Sequence, residues 1–423
     1  MLFSIETFFQ WEGLMEKHLE GVRVIDLTAY LSGPFVSLNL AAMGAEVIKI
    51  ERPKIGDPCR WNPPFAGPDG VGYRSRSDID ISLLYLKRNR GKKSISLNMR
   101  NEKGKRILER LVEKGDVVLE NFAPGSMDRL GFGYERLKEI NPRIIYCSIS
   151  GYGQDGPYRE RTAFDLTIQG TSGIMGVTGF PGGPPTRCGA WVGDMIPAMY
   201  GLSGILAALY SREKTGKGER IDISMQDCCF SMIMDEALDF HLEQGIPMRT
   251  GNRNPRLAPW NAYQARDGYI LICVANNVQW EAFVDAVGRE DLKEDPRFQN
   301  QEGRSRNSDA IERIVFEWLK SLTVVEALKR LREKRVACDA VLEIEDVLDD
   351  PQLKSRGMIQ ELYHPKSGKT GIKTAGFPVH FTESDAGLTE SAPYPGQHNE
   401  EIYRGLLGIS EEDMLRLQDE EII

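Results

Sequence analysis

Apolar and polar positions fall along this chain in blocks that predict strand, helix, strand. GVRVIDL (21–27) and AEVIKIE (45–51) are short apolar runs of strand length, and SGPFVSLNLAAMG between them carries a helix. Pro34 suits the first turn of that helix because its φ is already helical, and Gly44 suits the position just past its end. A helix over about 101–114, stopped at Gly115, precedes the strand DVVLENF (116–122), and RIIYCSIS (143–150) follows the Asn-Pro step at 141–142. Strands alternating with helices imply a parallel sheet covered on both faces. The expected fold is α/β: a Rossmann-like large domain with a parallel sheet, plus a smaller α+β domain.

Further on, a long apolar helix runs from about Asp194 to Glu213, followed by the turn KTGKG (214–218), the strand ERIDIS and a second helix over about 225–244. The Gly-, Pro-, Asn- and Arg-rich stretch 248–268 reads as loop or linker. Then come the strand YILICVAN and helices near 278–287, 307–320 and 323–335. The predicted division is an N-terminal extension (1–20), a large domain (21–247), a small domain (248–335) and a C-terminal segment (336–423) returning to the large domain. Glu6 and Glu12 interrupt the apolar start, which has no basic region and no small-residue cleavage site, so it does not read as a signal peptide. No apolar run is read as reaching the roughly 18 residues of a membrane span.

Charge narrows the function. The net charge is −9, with Lys+Arg 53 against Asp+Glu 62, which argues against a nucleic-acid scaffold or a general binder of anionic membranes. Seven cysteines form no CxxC pair, and the five histidines (His18, His241, His364, His380, His398) have no ligand spacing. Neither a disulfide framework nor a metal site is expected, and the chain reads as cytoplasmic. The first strand leads into TAYLSGPF rather than GxGxxG, and GxxxxGK[ST] and GxSxG are absent, so NAD, ATP and a serine-hydrolase elbow are not expected.

The candidate chemistry is modest residue by residue. ENFAPGSMDRLG (120–131) sets Asn121 and Arg129 around a strand end and a helix start, either an ordinary βα turn or an anion seat. Arg74, Arg76, Lys87, Arg88, Arg90, Lys92 and Lys93 crowd one stretch, either a solvated face or a polyphosphate patch. SGYGQDGPY (150–158) is a glycine-rich turn at a strand's carboxyl end, where open α/β sheets place ligands. Asp165, in TAFDLTIQG, enters a helix, and Asp194, in WVGDMIPAMYGL, stands before the long one. Asp194 reads as an N-cap, as a positioned reactive carboxylate, or as both.

Seven segments in order resemble the class III CoA-transferases, the family of formyl-CoA transferase and carnitine CoA-transferase: GVRVIDLTAYLSGP, LAAMGAEVIKIERP, NRGKKSISLN, ENFAPGSMDRLGFGYERL, NPRIIYCSISGYGQDGP, GDM and KTGKGERIDISMQD. The resemblance runs from about Leu19 to the C-terminus. It implies CoA transfer between carboxylic acids through a mixed anhydride and an aspartyl-CoA thioester on the Asp of a [GA]-D step, here Gly193-Asp194. It implies CoA contacts at Arg52, Lys92, Asn121, Phe122 and Arg129, with Ser126 in the same turn. It places substrate contacts at Tyr30, Leu31 and Phe164, and a second catalytic carboxylate at Asp165. No metal is implied, and coenzyme A enters as an acyl-CoA co-substrate. Interlaced dimers, or a heteromer with a homologous subunit, are the expected assembly.

Two departures bear on the substrate. The glycine run that formyl-CoA transferase has in its small domain is replaced by GNRNPRLAPWN, which argues against formate and oxalate. Tyr30-Leu31 stands where that enzyme has a polar residue, which favours a larger acyl group, with succinyl-CoA as donor and an aromatic or branched acceptor of the benzylsuccinate type. The rivals are an α-methylacyl-CoA racemase, whose His-Asp step is Phe164-Asp165 here, and a silent subunit of a heteromeric transferase.

Overall fold

Six short segments pair edge to edge into one parallel sheet: β1 (Arg23–Asp26), β2 (Glu46–Glu51), β3 (Lys93–Ser96), β4 (Val117–Glu120), β5 (Ile145–Ser150) and β6 (Arg220–Ser224). The computed structural model describes residues 17–423; residues 1–16, most of the expected N-terminal extension, lie outside them. The strand order is β3-β2-β1-β4-β5-β6, with every pairing parallel. β4 and β5 are buried at every position, hence their continuous apolar runs. At the edge, β6 alternates exposed and half-buried residues, and its sequence RIDIS alternates with it. β3 lies in KSIS, a segment read from sequence for its lysines; with a single large apolar residue it carried no strand signal.

Two compact units are formed. The larger takes in the described residues through Ser172, then Gly189–Ile233 and Pro351–Ile423. The smaller consists of Gly173–Cys188 and Met234–Asp350, and the predicted 248–335 segment falls within it. In the larger unit Ile402, Tyr403, Leu407 and Ile422 from the tail share one core with Ile25, Ile48 and Val118 of the sheet. In the smaller unit, strands Trp260–Gln264, Tyr269–Cys273 and Ala337–Ala340 form an antiparallel sheet. Tyr263, Phe283, Ile311 and Leu331 pack its core.

Three helices of the larger unit set up the site. α1 (Ser32–Ala42) is buried on nearly every side. α2 (Asp165–Thr171) is short, and α3 (Val192–Thr215) extends two residues beyond its predicted span at each end. By length and composition α3 is the one helix among the described residues that could cross a membrane. One side of it packs into the core: Ala198, Leu202 and Ile205 are buried, and a Cβ on Gly201 would lie 3.4 Å from Val36 of α1 and 3.5 Å from Ile149 of β5. The helix expected over 225–244 is two helices, Met225–Ile233 and Leu238–Glu243. The break falls where the chain passes from one unit to the other, a boundary that an unbroken apolar pattern does not mark.

Candidate active site

The sheet order reverses between β1 and β4, so the loops leaving these strands diverge and open a crevice at their carboxyl ends. Asn121 ties the two loops together: its Oδ1 accepts the Ala29 N–H and its Nδ2 donates to the Ala29 carbonyl, both at 2.9 Å. Here lies a cavity of about 650 Å³. Leu27, Ile50, Leu97 and Phe122 give it apolar walls, while Arg52, Arg100 and Arg129 are exposed around it. Arg129 also donates to the Ser126 hydroxyl at 2.9 Å.

A web of buried ion pairs underlies this cavity. Lys92 Nζ lies 3.3 Å from Asp26 Oδ2, Lys49 Nζ lies 3.0 Å from Asp57 Oδ2, and Arg60 makes two 2.7 Å bonds to Glu51. Burial by itself would push Asp26 and Glu51 upward. Lys92 and Lys49 outweigh it at Asp26 and Arg60 outweighs it at Glu51, so both carboxylates are held at about 2. The web also shapes the site through Tyr30, whose φ of 66° is left-handed. Such a conformation in a bulky residue costs about 1–3 kcal/mol unless its surroundings hold it. Asp57 accepts the Tyr30 N–H at 3.2 Å and Arg88 donates to the Tyr30 carbonyl at 3.0 Å.

A second cavity, of about 260 Å³, shares Tyr30, Asn121 and Phe122 with the first. Asp194, Leu31, Phe164 and Arg161 also line it. Phe164 stands edge-on to Tyr30 with ring centroids 6.3 Å apart. Asp194 is the third residue of α3; Trp191 occupies the N-cap position and makes no side-chain cap. The N-cap reading of Asp194 is therefore corrected: among the described residues, no hydrogen bond is made to its carboxylate. Burial, then the charge of Asp165, push Asp194 up to about 6, against a partial pull from Arg88.

Asp165 is placed quite differently. It is 4% exposed, its Oδ1 accepts the Gly193 N–H at 2.7 Å, and its Oδ2 accepts from Gln169 at 2.7 Å. With both oxygens occupied it holds the start of α3. The same contact explains Gly193. A Cβ there would lie 2.6 Å from the Asp165 carbonyl oxygen, closer than packing allows.

Arg52, Asn121, Phe122, Arg129 and Ser126 come together around the first cavity, and Tyr30, Leu31, Phe164 and Asp194 around the second. Lys92 does not join them. Its ammonium is fully buried on Asp26, Asn89 and the Pro34 carbonyl, so the expected CoA contact is corrected to a structural one. The basic stretch around it is likewise no single patch: Arg90 is turned to the Ala375 carbonyl and Lys93 pairs with Glu46 and Glu401. Sequence reading missed Asn98 and Arg100, which follow β3 and line the first cavity; recognising KSIS as a strand would have found them. It also missed Glu120, buried and bonded to the Phe122 N–H (2.7 Å) and Tyr146 hydroxyl (2.9 Å), which burial pushes to about 7.

With this geometry in view, comparisons with known proteins agree on one family. The family model for CoA-transferase family III matches residues 19–399. A formyl-CoA:oxalate CoA-transferase from Streptomyces coelicolor is 35% identical over 96% of this chain and 99% of its own length. An acetyl-CoA:oxalate CoA-transferase from Acetobacter aceti is 39% identical over 86% of this chain and 90% of its own. The human succinyl-CoA:glutarate CoA-transferase is 34% identical, covering 92% and 86%. Among solved structures, a CAIB/BAIF family protein from Brucella suis superposes with a TM-score of 0.78 at 35% identity, over 92% of this chain and 99% of that one.

Proposed function

The chain belongs to CoA-transferase family III, an enzyme class (EC 2.8.3.-) that uses CoA thioesters as co-substrates, and we propose that it moves CoA between carboxylic acids through a covalent intermediate on Asp194. The observation that carries this reading is the pair of adjoining cavities. The first offers apolar walls for a flat base and three guanidiniums for phosphates. It meets the second at Tyr30, Asn121 and Phe122, beside an unpaired carboxylate. A long ligand lying in the first would present its thioester at Asp194.

The reaction runs as follows. The Asp194 carboxylate attacks the thioester carbonyl; a C–O bond forms, the C–S bond breaks, and the electron pair leaves with the CoA thiolate. The thiolate then attacks the Asp194 carbonyl of the mixed anhydride, releasing the donor acid and leaving an aspartyl-CoA thioester. The acceptor carboxylate repeats these steps in reverse. Asp165 holds Gly193 and so aims Asp194, while its charge keeps Asp194 a stronger nucleophile than an ordinary aspartate. Arg52, Arg100 and Arg129 hold phosphates, and Asn121 and Phe122 line the path between the cavities.

The substrates are proposed as succinyl-CoA or acetyl-CoA donors and a dicarboxylic acceptor, in line with the acids used by the relatives. The apolar side formed by Tyr30, Leu31 and Phe164 favours the aromatic or branched acceptor as a second reading. Neither cavity is lined by a histidine, which weighs against racemisation. The exposed Trp191, Met199, Tyr200, Phe230 and Met232 suit burial in an interlaced dimer, and the free cysteines suit the cytoplasm. The test is intact-protein mass after mixing with succinyl-CoA, acetyl-CoA and related thioesters. A covalent CoA adduct on the wild type, absent in Asp194→Asn, is expected. Exchange of the α-proton with no adduct from any thioester would replace this reading by the racemase.

A further inference from the structure

Two buried hydroxyls in the wall of the cavity that Asp194 lines have no partner. Ser32 is 3% exposed and Ser150 is 5% exposed, and neither Oγ makes a hydrogen bond. Both residues line the cavity of about 260 Å³ that Asp194 lines. They reach it from different elements: Ser32 is the first residue of α1, and Ser150 is the last of β5. A buried hydroxyl left unpaired is unfavourable, so two in the wall of one cavity point to a polar ligand that completes them.

We infer that Ser32 and Ser150 donate hydrogen bonds to the oxygens of the acyl group passing over Asp194, and so select a carboxylate or thioester carbonyl at that point. This assignment rests on the function proposed above. Neutral O–H donors suit a group that changes charge through the cycle. They bind the carboxylate of the incoming acid and the carbonyl of the thioester alike, and bind more strongly as negative charge develops on that oxygen during attack. No proton leaves either serine: the bond formed is Asp194 oxygen to acyl carbon, and the pair from the broken C–S bond leaves on sulfur. A cationic donor in their place would hold the free acid too firmly to release it.

Ser172 supplies an internal control. It is 3% exposed and its hydroxyl is also unpaired, yet it lines neither cavity. The experiment measures kcat and KM for acyl-CoA and acceptor acid, the rate of adduct formation, and the melting temperature. The variants are Ser32→Ala, Ser150→Ala, the double variant and Ser172→Ala. Each cavity variant is expected to lose about ten- to a hundredfold in kcat/KM and to slow adduct formation by the same factor, the worth of one hydrogen bond to a charged group. Because alanine removes an unpaired hydroxyl, the melting temperature should hold or rise, which a merely structural serine would not combine with lost activity. Ser172→Ala should stay within about twofold of wild type. Should an alanine variant melt lower, Ser→Cys at the same site decides: a similar loss supports the assignment, and wild-type rates overturn it. A double variant that keeps kcat/KM within about threefold for every acid tried, while the wild type still forms its adduct, overturns the serine assignment alone. A wild type that forms no adduct removes the Asp194 reading and this assignment with it.

Discussion

Two sets of carboxylates, buried or half-buried, stand at the carboxyl ends of the same sheet, and they behave in opposite ways. Beneath the larger cavity, Asp26 and Glu51 face Lys92, Lys49 and Arg60 and are held at about 2. At the start of α3, burial and then the charge of Asp165 push Asp194 up to about 6. Burial opposes ionisation in both places, so burial is not what separates them. The neighbours are. Where every negative charge has a cation, the carboxylate is held low; where no cation is bonded to it and Asp165 adds a like charge to the effect of burial, the carboxylate is raised.

Breaking the web should have the largest effect on stability. Glu51→Ala leaves the Arg60 guanidinium buried without its partner, and a loss of about 3–5 kcal/mol is expected, read as a much lower urea midpoint. An unchanged midpoint would mean that the web is ornamental and that the contrast with Asp194 is empty.

Asp194→Asn should do the opposite, and pH gives the sign. The raised carboxylate favours the protonated form when folded, so its stabilising share is complete below 3.8 and is lost as pH rises through about 6. Glu120 adds to the loss as pH passes about 7. Asp26 and Glu51 run the other way: their share is present above the ordinary carboxylate range and is lost as pH falls towards about 2. At pH 8, Asp194→Asn is therefore expected to stabilise the protein by about 2–3 kcal/mol while abolishing adduct formation. Melting curves from pH 4 to pH 8 check this; equal curves for variant and wild type would refute the strained-carboxylate account.

The smallest and sharpest effect belongs to Asp165→Asn. The amide oxygen still accepts the Gly193 N–H, but the like charge beside Asp194 is gone. Activity at pH 8 should stay within about tenfold, and the acid limb of the rate profile should move below about 6. A limb that stays in place would assign the shift at Asp194 to burial alone.

Legibility from sequence followed the strength of the local signal. Strong apolar blocks gave away β1, β2, β4, β5 and α3 within a few residues, whereas β3, with its lysines and serines, did not look like a strand at all. Resemblance picked out Asp194 and most of the cavity residues. Lys92 was misjudged because a lysine in a basic run looks the same in sequence whether it faces solvent or Asp26, and the partner is 66 residues away. The Asp165 contact was equally invisible, since the N–H that occupies it belongs to Gly193, 28 residues on.

By itself the sequence determined the α/β class, the helix and strand periods, the family and the Gly193-Asp194 step, because these rest on short-range pattern and on residue identity. Only the tertiary structure decided which charges were paired, which hydroxyls were left without partners and which loops met at Asn121. Those depend on contacts between residues far apart in the chain, and it is such contacts that set the dielectric surroundings and neighbouring charges of each group.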